Sequence, residues 1–148
     1  MTEGVSVRRS TSAAWQCPFS RGELALILAA MRDTCGMRDV AVDLTLCDDV
    51  FIGRINQERL HCSGPTNILS FPSAVDSPGG VERKALLLLS LDTLEREAFF
   101  YGQSTAEHTI RLLAHGMAHC AGLDHGPAMD AVQQTAFDAG MRAWKRKG

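Results

Sequence analysis

The run ALLLLSL, Ala85 to Leu91, restricts the fold more than any other part of the chain. Four successive leucines put apolar side chains on both faces of an extended segment, so this strand has to be covered from two sides and belongs inside a sheet. Its neighbours read differently. VAVDLTL alternates Val40, Val42, Leu44 and Leu46 on one face with Asp43 and Thr45 on the other, the pattern of a half-buried strand. TNILSFP, Thr66 to Pro72, is a further strand, and VSV, Val5 to Val7, adds an edge strand. The segment between the last two main strands, SAVDSPGGVERK, is rich in turn residues and reads as a surface loop.

Helical patterns surround these strands. SRGELALILAAMRDTCG opens with a capping box, Ser20 and Glu23, and lines up Leu24, Ile27, Leu28, Met31 and Cys35 before Gly36 stops it. Asp48 or Asp49 caps a short helix through Arg59, and DTLEREAFFYG forms another that ends at Gly102. Two more run from about Thr105 to Cys120 and from Pro127 to about Lys145. Strands and helices do not alternate as in a βαβ series, and the carboxyl half is mostly helical. The expected class is α+β, a small mixed sheet packed with about five helices, in a single domain spanning residues 1–148.

Composition excludes several alternatives. The first twenty residues lack a secretory apolar core, and no stretch is long enough to cross a bilayer, so a cytoplasmic protein without a membrane partner is expected. The five cysteines are odd in number and never form C-x-x-C, which argues against a disulfide framework or thiolate cluster. Fifteen basic and seventeen acidic residues give a net charge of −2, with no whole-protein signature for DNA or another polyanion. The dense basic run is RAWKRKG, Arg142 to Gly148, which reads as a solvated, fraying terminus or as a local RNA contact.

Three of the five histidines fall within HGMAHCAGLDH. His115 and His119, four apart on a helix, differ by about 40° around its axis and project from one face. Gly122 can adopt the left-handed conformation that ends the helix, after which the chain can bring His125 to the same point. Three neutral imidazoles leave one tetrahedral position of Zn²⁺ open, the arrangement of a catalytic site. Gly116 stands where an H-E-x-x-H peptidase carries its glutamate base, which disfavours peptide hydrolysis. Asp124 either orients a ligand or ties the turn. Cys120 lies about 100° away from His119 and is expected to pack, while His108 is about 10 Å along the axis from His115, outside reach of the metal. Arg111 is one turn before His115 and is either a solvated helix arginine or a contact to substrate phosphate. His61 falls in a loop with no role indicated.

HGMAHCAGLDH resembles the H-G-x-x-H-x-x-G-x-D-H signature of the YbeY family of endoribonucleases and rRNA maturation factors. INQERLHCSGPTNILSFP, Ile55 to Pro72, is similar to the family segment in which an asparagine and an arginine precede P-T-[DN]-[VI]-L-S-F-P. The resemblance implies a four-stranded mixed sheet, one zinc ion held by His115, His119 and His125, and a cleft to which Arg59 contributes. It also implies single-stranded RNA as substrate, a role in small-subunit rRNA maturation and ribosome quality control, and ribosomal partners. Ala118, Cys120, Leu123, Glu58 and the Ala85-Leu86 pair depart from residues common in the family, which bears on pocket shape and RNA contact and leaves the ligands untouched.

Under this reading Arg59 is the catalytic candidate, because its planar fork matches phosphate oxygens and its charge opposes the charge developing in phosphodiester cleavage. Taken without the motif it would be a helix-end salt bridge. Ser70 and Asn67 are candidates for the strand wall of the cleft, and Phe71 either stacks a base or fills the core. Two other functions fit the same residues: a non-catalytic ribosome-associated factor with a structural zinc, and a zinc hydrolase of small amides or esters.

Overall fold

The computed structural model describes residues 2–10, 17–123 and 126–147. Four strands form one sheet: β1 (Val5–Arg9), β2 (Val40–Cys47), β3 (Ile68–Ser77) and β4 (Gly80–Ser90). Their spatial order is β1-β2-β4-β3, with β1/β2 and β2/β4 parallel and β3/β4 antiparallel. The sheet is therefore mixed, and five helices accompany it: α1 (Arg21–Thr34), α2 (Asp49–Leu60), α3 (Leu91–Tyr101), α4 (Thr105–Cys120) and α5 (Pro127–Lys147). This is the α+β architecture expected. No helix among the described residues is long and apolar enough to cross a membrane.

The leucine run occupies β4 between β2 and β3, and its two faces enter two different clusters. Leu87 and Leu89 join Leu44, Leu46 and Ile68 under α1 and α4, where Leu24, Ile27, Met31, Ile110, Leu113 and Met117 complete the main core. Leu88 points the other way and meets Cys47, Leu69 and Ile52 beneath α2. Burying one such leucine stabilises the fold by about 1.5–3 kcal/mol, so a strand with apolar groups on both faces is stable only in this interior position. Thr45, which alternation placed on the open face of β2, is buried as well, beside Leu88 in the ladder.

The helix starts follow their caps. Ser20 Oγ accepts from Glu23 N at 3.1 Å while Glu23 Oε1 accepts from Ser20 N at 2.9 Å, the reciprocal box expected. Asp48 caps α2 by accepting from Phe51 N at 2.9 Å. Ser90 caps α3 and Ser104 caps α4. α2 and α3 are further tied at their amino ends, since Asp49 accepts from Ser90 Oγ at 2.7 Å and Thr93 Oγ1 at 2.6 Å, and Asp92 accepts from Asp49 N at 2.9 Å.

Two expectations are corrected. SAVDSPGGVERK is not a loop: β3 and β4 run through it as a hairpin, pairing Ser73 with Lys84, Val75 with Glu82 and Ser77 with Gly80. Only Pro78 and Gly79 connect the strands. The ribbon lacks an apolar face because it extends past the core, and its ladder is the continuation of the well-packed pairing at Ile68–Leu89. The basic run, expected as a solvated, fraying end, is helical over its described residues. α5 continues to Lys147, anchored where Trp144 meets the Phe19 ring edge-on with centroids 5.7 Å apart.

Candidate metal centre

α4 is an amphipathic helix whose buried face includes Ile110, Leu113 and Met117. Glu107, Arg111, His115 and His119 recur every four residues along its half-buried side, so both imidazoles emerge where the helix leaves the core. Their Nε2 atoms lie 3.1 Å apart, with ring centroids 4.6 Å apart and planes nearly perpendicular. Two nitrogens each roughly 2.0–2.1 Å from one tetrahedral zinc would be separated by about 3.3 Å. The pair thus has the spacing that a shared cation requires.

The other side of the His115 ring is also fixed. Its Nδ1 is 2.9 Å from Oε1 of Gln133 on α5. An amide oxygen only accepts, so Nδ1 is the donor in this contact, and in the neutral ring Nε2, on the side of His119, is then the nitrogen with a lone pair. Here the donor chemistry fits a metal, because ligating imidazoles commonly donate their second N–H to an oxygen.

Gly116 has a packing reason. A β-carbon there would lie 2.9 Å from Ile68 Cδ1 and 3.1 Å from Leu87 Cδ2, so α4 sits directly against the sheet. A glutamate at this position would be driven toward the core. Gly122 takes φ of 83°, and its N–H bonds His119 O at 3.0 Å, as the expected helix-ending turn requires. Asp124 and His125 lie outside the described residues. Among the described residues, no three His, Cys, Asp or Glu side chains gather as a metal cluster.

The remaining candidates divide between two faces of β3. Ile68 touches the Gly116 position of α4, and by alternation Ser70 shares that face. Leu69 and Phe71 belong to the α2 side. Exposed Arg59, in the last turn of α2, places its guanidinium carbon 5.9 Å from the Phe71 ring centroid. Arg59 and the histidines therefore flank the same sheet edge from opposite faces. Phe71 serves as a partly buried packing aromatic with a cationic neighbour.

Asn67 precedes β3 instead of belonging to it. Its Oδ1 accepts from Ile68 N at 2.6 Å and its Nδ2 reaches Glu97 at 3.1 Å, while His108, only 4% exposed, meets Glu97 at 3.0 Å. These contacts join α3, α4 and the start of β3. Arg111 pairs with Glu107 at 3.2 Å and stacks over Phe137 of α5 at 4.6 Å. Cys120 is buried, and desolvation pushes its thiol up to about 11, so it packs as a protonated side chain. His61 caps α2 in the left-handed conformation, φ 55°.

Two contributors escaped the sequence reading. Gln133 carries no spacing signature, being eighteen residues from His115 and on another helix. Asn56 is buried and donates to Gly64 O at 3.0 Å, which holds the segment between Arg59 and β3. Its place in the INQERLHCSGPT motif was the available signal.

Comparisons with known proteins bear on the family and the fold. A family model described as Endoribonuclease YbeY matches residues 20–138. A protein named Endoribonuclease YbeY from Nitratidesulfovibrio vulgaris is 41% identical over 145 residues, covering 87% of this chain and 90% of its own length. One of the same name from Oleidesulfovibrio alaskensis is 37% identical over 150 residues, covering 88% of this chain and 89% of itself. The solution structure of a Thermotoga maritima protein superposes with a TM-score of 0.64 over 97% of this chain and 93% of that one; at 17% identity the likeness is one of fold.

Proposed function

The chain belongs to the YbeY endoribonuclease family, and from that membership we propose that it is a zinc-dependent endoribonuclease that cleaves single-stranded RNA in small-subunit rRNA maturation and ribosome quality control. The observation that carries the metal part is the 3.1 Å approach of the His115 and His119 Nε2 atoms. His125 is the expected third ligand. A bound zinc ion supplies a Lewis acid for the phosphodiester.

The protein's own groups have separable tasks. His115 and His119 would hold the ion as neutral imidazoles, with the His115 proton kept on Nδ1 toward Gln133. Arg59, exposed and charged, approaches the RNA backbone from the other side of β3 and offsets charge developing on the phosphoryl oxygens. Gly116 brings no carboxylate, which separates this chemistry from that of H-E-x-x-H peptidases. Work on ribosomal RNA makes the cytoplasm the site of action, with ribosomal proteins as neighbours.

A second reading has support from the His115–Gln133 contact, which would let a metal staple α4 to α5 without catalysis. The two readings part in one experiment with purified full-length protein. Cleavage of single-stranded RNA should disappear on chelation, return with zinc, and fall by about 10²-fold or more in Arg59→Ala and His115→Ala variants that keep their circular dichroism. Undiminished cleavage by both variants would exclude the nuclease reading. Absence of turnover at any zinc level, combined with a melting temperature that drops on chelation, would favour the staple.

A further inference from the structure

We propose that Gln133 is the positioning residue of this centre, setting metal affinity through the orientation and tautomer of His115. The inference rests on the metal reading above and adds a residue from a helix outside both sequence motifs. Imidazole can place its proton on either nitrogen, and its ring can turn about χ2; only one combination aims an Nε2 lone pair at the point faced by His119. The 2.9 Å contact from Nδ1 to Gln133 Oε1 selects that combination before any metal arrives.

Gln133 can do this because α5 is held firmly against α4. Gly140 lets the helices approach so closely that a β-carbon there would lie 2.9 Å from Ile110 Cγ2, and Arg111 of α4 stacks on Phe137 of α5 at 4.6 Å. These contacts hold the two helix backbones together one to two turns from Gln133, so the Cα from which its amide reaches His115 is fixed. A glutamine is a neutral acceptor. It fixes the ring while adding less electron density to the ligand than a carboxylate would, so a carboxylate at this position should hold the metal at least as tightly.

The test is competitive titration of zinc into full-length, metal-free protein against a chromophoric chelator, with melting of the metal-free forms measured in parallel. Gln133→Ala should weaken zinc binding by about 10–100-fold without lowering the metal-free melting temperature, since alanine is a good helix former. Gln133→Glu should restore affinity to wild type or above. Unchanged affinity in Gln133→Ala would overturn the proposal. So would a loss that Gln133→Glu does not restore and that the metal-free melting temperature follows, since Gln133 would then act only in helix packing. A wild-type chain that binds no zinc would overturn the metal reading itself, a result distinct from both.

Discussion

Gly116 and Ile68 are in such close apposition that a β-carbon on residue 116 would fall 2.9 Å from Ile68 Cδ1. The contact brings α4 down onto the edge of the sheet and sets the height at which His115 and His119 stand above it. It also gives the glycine of HGMAHCAGLDH a mechanical purpose. A peptidase's glutamate is absent from this position because the backbone of α4 occupies the space beside β3 and β4.

Replacing Gly116 by Glu should therefore create no peptidase. Its side chain would start between Ile68 and Leu87 and place a carboxylate in an apolar seam without a partner. The expected cost is about 3 kcal/mol or more, read as a lower denaturant midpoint. Casein hydrolysis should stay at background. A variant of wild-type stability that cleaves casein would show that residue 116 faces the metal side.

Asp49 links stability to pH. Burial by itself raises its carboxyl, but hydrogen bonds from Thr93 and Ser90 and the Arg96 guanidinium, 2.8 Å away, outweigh this and hold it below its ordinary 3.8. A carboxyl lowered in the folded state contributes stability above its unfolded pKa and loses it as pH falls through the folded value. Asp49→Asn should accordingly cost about 1–3 kcal/mol at pH 7. The gap from wild type should hold down to about pH 4 and close below it. Urea melts at several pH values measure this directly, and a gap that widens with acid would contradict the assignment.

The same residues mark what could be read from sequence. The Ser20–Glu23 box, the Asp48 cap and the interior position of β4 were legible because each depends on neighbours in the chain or on a short periodic pattern. The ribbon through Ser73–Lys84 was not, since strand pairing there is inherited from Ile68–Leu89 and leaves no alternation of apolar side chains. At the candidate site, His115 and His119 were visible as a helical pair. Gln133 was not, because a tertiary contact between helices imposes no pattern on either one. The position of Arg59 across β3 from the histidines likewise depends on strand alternation at an edge that sequence order did not define.

The end of α5 carries a last prediction. Trp144 packs against Phe19, so its neighbours are held on a formed helix, and Arg142, Lys145 and Arg146 are exposed there. Fixed cations contact a nucleic-acid backbone at less entropic cost than a fraying tail would, even though the whole chain is slightly acidic. If this surface contacts RNA, each lost phosphate contact should reduce the slope of log affinity against log salt by about 0.7 for a single strand. Replacing Arg142, Lys145 and Arg146 with Gln keeps helix propensity while removing the charges. The triple variant should bind single-stranded RNA more weakly at low salt, with a slope lower by up to about 2, and should melt at the wild-type temperature. A slope equal to that of the wild type would exclude this end of α5 from the RNA-binding surface.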